Sequence, residues 1–386
     1  MKITAIRPVF ADRFLLVIVE TDAGISGTGE SGAWGHLPAS ATAMETFAEY
    51  LVGRDPSEIE QHWNVMHRFG HFRGAAISGA ISAIDIALWD IKGQVLGQPI
   101  HALLGGPTRK QARLYAHVKA PTRTRMIEVA QDRKARGFTA IGHVNPFLDE
   151  DRGETYFKTH AQKIDDGVRV VADLRDAMGP EVDLCIEIHR RLTPAEAIVF
   201  AAEIAPFRPM FYEDPMPPYG VEPMGRIADG ISIPLATGER FFSLQEFQAH
   251  FVRGALDYAR VSIALCGGIT GARKIAALAE AFAIQIVPHN PLSPVSLAAA
   301  LQLDACVPNF AIQEYALSGD LEAGSAEPKL RGADLVTESI EVRDGFATIP
   351  TLPGLGLALD RGAAATPRVN RSLKMRAHFD GHVVDQ

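Results

Sequence analysis

Up to about residue 52 the chain alternates apolar and polar positions with the period of half-buried strands, in ITAIRPVF and FLLVIVETDAG. It then turns through the glycine-rich run GISGTGESGAWG. From about 56 to 104 the period lengthens to that of helices. ISGAISAIDIALWDIKGQVLG is one long amphipathic stretch, closed by Gly97 ahead of Pro99. Strands followed by helices over residues 1–112 predict an α+β unit. Beyond it the two patterns alternate. LYAHV, AIGHVN, VDLCIEIH, MFYEDP, IPLATGE, YARVSI, IQIVPHN and FAIQEY read as strands, and segments such as TPAEAIVFAAEIAPF, SLQEFQAHFVRGA and ARKIAALAEAFA read as helices. Eight strands on seven helical connections predict a closed parallel barrel over residues 113–340 rather than an open doubly wound sheet. The tail, 341–386, lacks helical period in EVRDGFATIPTLPGLGLAL and is expected to pack back on the N-terminal unit.

Three of the strand patterns end in a carboxylate at an even interval: Glu187, Glu213 and Glu239 stand 26 residues apart. That interval suits one strand, one helix and two short loops. Three consecutive βα units would then deliver three glutamates to the C-terminal face of the barrel, where barrel active sites form. Convergent carboxylates repel one another unless a cation lies among them, and an all-oxygen donor set suits a hard ion, Mg²⁺ above all.

Charge and composition narrow the setting. The formal net charge of −8 and the absence of a basic run argue against a nucleic-acid partner. A content of 47% hydrophobic and 22% charged residues is that of an ordinary globular protein, with no apolar run long enough for a membrane span. MKITAIRPVF has no secretory pattern, and Cys185, Cys266 and Cys306 sit singly in apolar stretches, so the cytoplasm is the expected compartment. No phosphate cradle of the GxxxxGK[ST] type is present.

The runs ISAIDIALWDIKGQVLGQPIHALLGG, YEDP, ATGER, GGIT and VPHNPLSP resemble, in order and over nearly the whole chain, the enolase superfamily in its mandelate racemase and acid-sugar dehydratase branch. The resemblance implies a modified TIM barrel, (β/α)₇β, under an N-terminal α+β capping domain completed by the C-terminal tail. It implies Mg²⁺ held by Glu187, Glu213 and Glu239, and abstraction of a proton next to the carboxylate of a small-molecule acid sugar. A homo-oligomer is expected.

His289, at the end of the seventh strand, is the candidate base, since an imidazole can work at neutral pH. His189 stands two residues after Glu187 and shares its strand face. The resemblance gives His189 the part of general acid for a leaving hydroxide, against the alternative of a partner that orients Glu187. Glu314, ending the eighth strand in FAIQEYAL, takes from the resemblance a hydrogen bond to a substrate carboxylate oxygen. Relatives with lysine bases carry Lys-x-Lys on the second strand or a lysine on the sixth; AIGHVNP and YARVSIALCGG have neither. His143 and Asn145 occupy the first of those places and are candidate substrate contacts, His143 being equally readable as a strand-end cap. Where dehydratases orient the base histidine with an aspartate, this chain has Ser262. A hydroxyl fixes a tautomer weakly and does not stabilise an imidazolium, which leaves cycloisomerisation or epimerisation of a sugar acid, or metal binding without catalysis, as alternatives. Trp34 and Arg73, in the N-terminal loops, are candidate groups for closing over substrate.

Overall fold

The computed structural model describes residues 1–120, 122–147, 158–318, 329–365, 376–377 and 383–384. The chain opens with an antiparallel sheet of three strands, β1 (Ile3–Ala11), β2 (Phe14–Thr21) and β3 (Ser26–Ser31), paired in that order. Helices α1 (Leu37–Leu51), α2 (Ile59–Arg68) and α3 (Ala75–Leu96) cover one face of it, and the short α4 (Ile100–Leu103) follows. The glycines of GISGTGES have a packing reason. A Cβ at Gly27 or Gly29 would run into the carbonyl oxygens of Ala87 and Ala83, so only a bare backbone lets α3 lie this close on β3. α3 ends on Gly97 in the left-handed conformation, φ 62°, as the Gly–Gln–Pro sequence there predicts.

Next come β4 (Gln111–His117), α5 (Arg123–Ala135), β5 (Ala140–Val144), α6 (His160–Met178), β6 (Asp183–Glu187), α7 (Pro194–Ile204) and β7 (Phe211–Glu213). They are followed by α8 (Val221–Gly230), β8 (Leu235–Thr237), α9 (Leu244–Arg253), β9 (Tyr258–Ala259), α10 (Gly268–Ala281), β10 (Gln285–Ile286), α11 (Pro294–Asp304) and β11 (Gln313–Tyr315). β4 to β10 pair in sequence order, all parallel; β11 pairs with β4, and a bridge from Phe310 to Ile286 joins its approach to β10. The sheet thus closes as a (β/α)₇β barrel. Three of the barrel helices start where Ser or Thr stands three residues before Glu or Gln: Thr159 with Gln162, Thr193 with Glu196 and Ser243 with Glu246 form reciprocal capping boxes.

After β11 come the short pairs β12 (Leu317–Ser318) with β13 (Lys329–Leu330), and β14 (Val342–Arg343) with β15 (Phe346–Thr348). β15 runs antiparallel to the start of β4, so this stretch sits on the barrel. The chain then crosses to the N-terminal unit, where Leu355 N donates to Asp90 Oδ1 of α3 (3.0 Å) and Ile100 N to Gly354 O (3.1 Å). No helix among the described residues is long and apolar enough to cross a membrane.

Candidate active site

The barrel floor is a layer of side chains, one from each strand or its extension: Tyr115, Ala140, Cys185, Phe211, Ala236, Tyr258, Val287 and Ile312. Successive inward positions along a strand are two residues apart. Two residues beyond the floor stand His117, Gly142, Glu187, Glu213, Gly238, Arg260, His289 and Glu314. Every functional group of that next layer is thus dictated by period two from an apolar floor. On the two strands where the position is glycine, the residue after it bears the ionisable group: His143 and Glu239.

These groups touch one another. His143 Nδ1 lies 2.5 Å from Glu187 Oε2, and His189 Nε2 lies 3.8 Å from Glu187 Oε1. Glu187 Oε1 is buried and has no hydrogen-bond partner. Glu213 Oε1 accepts from Arg260 Nε at 2.5 Å. Glu239 Oε1 accepts from Arg190 Nη1 at 2.7 Å, and its other oxygen faces His289 Nε2 at 3.4 Å. Arg190 Nη1 also reaches Asp214 Oδ2 at 3.0 Å, and Thr237 Oγ1 donates to Asp214 Oδ1 at 2.6 Å, which makes Asp214 a brace for the strand ends. Glu314 accepts three bonds: His117 Nε2 (2.7 Å), Arg260 Nη2 (2.6 Å) and the backbone N of Asn290 (2.8 Å). The His117 and His143 rings stack at 4.7 Å.

The electrostatics divide the acids. Burial, then the facing Glu239, pushes the Glu187 carboxyl well above its usual range. Burial pushes Glu213 up as well, eased only in part by Arg260. Burial also opposes the charge on Glu239 and Glu314, but Arg190 at the first and Arg260 at the second outweigh it and hold both well below the usual carboxylate range. Burial, then the neighbouring Arg190, pushes the His189 imidazole well down, so the ring is neutral at pH 7. Burial takes His117 down to about 4. Strand ends here bend sharply: His143, His189, Arg190 and Asp214 all have positive φ, at 55°, 55°, 67° and 40°. Non-glycine residues pay of order 1–3 kcal/mol for such geometry, a strain characteristic of sites that must aim side chains.

This eight-strand layer, with acids on β6, β7 and just past β8, is matched over residues 125–363 by the enolase C-terminal domain-like family model. Residues 2–105 match that of the mandelate racemase / muconate lactonizing enzyme N-terminal domain. The chain belongs to the enolase superfamily. Among curated relatives, D-galactonate dehydratase of Xanthomonas oryzae pv. oryzae is 36% identical over 93% of this chain and 92% of its own length. That of Variovorax paradoxus is 35% identical over 100% of both chains. Among solved structures, an enolase from Agrobacterium radiobacter with Na and L-malate bound superposes with TM-score 0.91 at 27% identity, covering 99% of each chain.

The expected acids and histidines of the barrel lie on one rim, though in a particular grouping. The candidate metal-ligating atoms of Glu187, His189 and Glu239 all lie within 4.8 Å of one another, whereas Glu213 stands outside that group, tied through Arg260 to Glu314. His143 faces Glu187. Asn145 turns its side-chain oxygen to the backbone N of Phe147 at 2.9 Å. Trp34 lies under the Arg13 guanidinium, 4.1 Å from the ring centre. Arg73 lines a cleft of about 290 Å³ with Met66, His67, Phe69 and Phe242, which none of the barrel glutamates lines. His289 Nδ1 is buried without a hydrogen-bond partner, so the serine at 262 supplies no substitute for an orienting acid. Sequence reasoning passed over Arg260, Arg190 and His117. An ionisable residue two positions past the floor tyrosines of YARV and LYAHV was the signal for two of them.

Proposed function

We propose that the chain is a Mg²⁺-dependent hydro-lyase of the cytoplasm that takes the proton α to the carboxylate of an acid sugar and eliminates the β-hydroxyl as water, leaving a 2-keto-3-deoxy acid. One observation carries this reading: the buried, unpartnered Glu187 Oε1 stands in a rim of acids on which two imidazole Nε2 atoms close, at 3.8 Å for His189 and 3.4 Å for His289. The dehydratase names of relatives 36% and 35% identical support the choice of reaction.

The donor set fits a hard cation. Glu187 and Glu213 carry carboxyls whose charge the protein alone does not offset, and Glu239 lies beside the first. These three would hold Mg²⁺, which when bound supplies positive charge for the oxygens of the substrate carboxylate as negative charge develops there. Of the chain's own groups, His289 Nε2 takes the α-proton. His189, neutral at rest, is a rival cation donor by distance; in our reading it gains its proton with the substrate carboxylate in place and gives it to the departing hydroxyl. Glu314, ionised by Arg260, accepts from a hydroxyl or protonated oxygen of the substrate. Water leaves as the hydroxyl with the proton from His189; the proton held on His289 then passes to the carbon that lost the hydroxyl as the enol becomes a ketone, and the enol O–H proton, released in that step, restores the charge balance at His189.

The test is a screen of aldonic and aldaric acids, D-galactonate first, for 2-keto product, followed by turnover in D₂O. His289→Asn should abolish both product and α-proton exchange, and His189→Asn should abolish product while exchange persists. The unpartnered Nδ1 of His289 favours a second reading, cycloisomerisation or epimerisation with a weaker base. A product of the same mass as its substrate decides for that reading and against dehydration.

A further inference from the structure

Glu30 is the last residue but one of the glycine-rich strand β3 in the capping domain and is fully buried, yet its carboxylate turns to the barrel. It accepts from Ser293 Oγ at 2.5 Å, from Ser293 N at 3.3 Å on each oxygen, and from Ser296 N at 3.3 Å. Ser293 caps α11, and Ser296 lies in its first turn. The loop from His289 to Ser293 is therefore gripped at both ends. Asn290 N donates to Glu314 Oε2 at 2.8 Å, and the far end is held by Glu30. The His289 imidazole, one residue ahead of the first grip, has little hold of its own. Nδ1 has no partner, Nε2 is 3.4 Å from Glu239, and only the backbone N is tied, to Val261 O at 3.1 Å.

We propose that Glu30 is a positioning residue for His289: the capping domain fixes the ring's place by clamping the loop that carries it, in a chain that lacks an orienting acid beneath the ring. A carboxylate is the right group for the task. It accepts several N–H and O–H donors at once, and its charge complements the start of α11. Burial pushes its carboxyl up to about 7, against the hydrogen bonds from Ser293 and Ser296 that favour the ion. An amide in its place has one acceptor oxygen and turns an NH₂ toward backbone N–H groups, so the loop would shift. Displacement of a reacting group by about 1 Å costs up to about 10²-fold in rate.

The inference rests on the reading of His289 as the base, and its experiment separates the two. Glu30→Gln is compared with Asp90→Asn, a carboxylate equally buried in the capping domain that accepts from Thr28 N and Leu355 N and does not touch the loop. On the acid the parent turns over fastest, Glu30→Gln should lower kcat by about tenfold or more with KM within about threefold. Carbethoxylation of His289 by diethyl pyrocarbonate, followed by peptide mass spectrometry, should become faster. Asp90→Asn should lose a similar amount of thermal stability with kcat and the labelling rate of the parent. Ser293→Ala removes a single donor to Glu30; it should show the same split at smaller size, and decides the matter if Glu30→Gln does not fold. A kcat loss matched by Asp90→Asn, a loss confined to KM, or unchanged His289 labelling overturns the proposal. If the parent turns over none of the acids, the assignment of His289 as base fails, while the labelling still decides whether Glu30 holds the ring.

Discussion

Replacing Arg260 with Met tests whether one guanidinium ties the site together. Its side chain is 2% exposed, and it donates to Glu213, to Glu314 and to the carbonyls of Val287 (3.0 Å) and Pro288 (3.3 Å), just ahead of His289. Methionine keeps most of the volume and removes the charge, which leaves two buried carboxylates facing each other without a cation. Breaking a buried pair in this way costs about 3–5 kcal/mol, less whatever the acids recover by taking up a proton. Glu314, held far below the usual range chiefly by Arg260, should then take up a proton more readily than in the parent, with the two histidines, His289 and His117, left to favour its charge. At about 2 °C per kcal/mol for a large domain, the metal-free protein should melt about 6–10 °C lower by calorimetry. Turnover should fall by about 10²-fold or more, because both Glu314 and the backbone before His289 lose their anchor. Arg260→Lys restores the charge but cannot bridge two acids and two carbonyls, so it should regain stability more than rate. A methionine variant with the parent's melting temperature and kcat would refute this account of the site.

Three further outcomes follow from the same geometry. Glu213→Gln removes a charge that burial disfavours, so the metal-free fold should be retained, while the rise in melting temperature on adding Mg²⁺ should vanish; an undiminished Mg²⁺ response removes Glu213 from the ligand set. Glu314→Gln should cut kcat by about 10²-fold with Mg²⁺ affinity by titration calorimetry unchanged, since its partners are His117, Arg260 and Asn290; lost Mg²⁺ binding makes it a ligand instead. Asp85 accepts from Thr270 N at 2.9 Å, and burial raises its carboxyl from 3.8 to about 7. The folded state therefore holds a proton that the unfolded state has lost between about pH 4 and 7, so this contribution is present below pH 4 and is lost as pH rises. Asp85→Asn should gain on the parent across that window by up to roughly 4 kcal/mol in denaturant titrations, and a difference that stays flat or falls contradicts the assignment.

Much of this was legible in the chain because barrel geometry is periodic. The spacing of Glu187, Glu213 and Glu239 places three acids on one rim, and the alternation in IEIH puts His189 beside the first. The capping boxes announce α6, α7 and α9 at their first residues. Charge pairing was not legible, because it joins residues distant in sequence. Arg260 meets Glu314 across 54 positions, and Glu30 meets Ser293 across 263. Attention to the missing lysine and aspartate of YARVSIALCGG passed over the arginine that is there. The substrate-facing groups of the N-terminal loops were the least legible, since a loop side chain's direction follows from its packing and not from a period: Arg73 lies in an apolar cleft and Trp34 under Arg13.

The charge count of the rim argues for a divalent ion on grounds independent of any relative. Five carboxylates, Glu187, Glu213, Asp214, Glu239 and Glu314, lie buried or nearly so around two guanidiniums, Arg190 and Arg260. Fully ionised, the set lacks three positive charges. A doubly charged ion offsets two, and one proton, on an acid or an imidazole, offsets the third. A monovalent ion would leave the deficit to be met by two protons, which would neutralise the carboxylates meant to bind it. The three proposed ligands are also unequal. Glu239 already has Arg190 at 2.7 Å, whereas Glu187 has an unpartnered oxygen and a carboxyl driven up by burial and by Glu239. A cation gains most where the protein has offset least, so Glu187 would supply the greater part of the attraction to a bound ion, while Arg190 keeps Glu239 ionised without one.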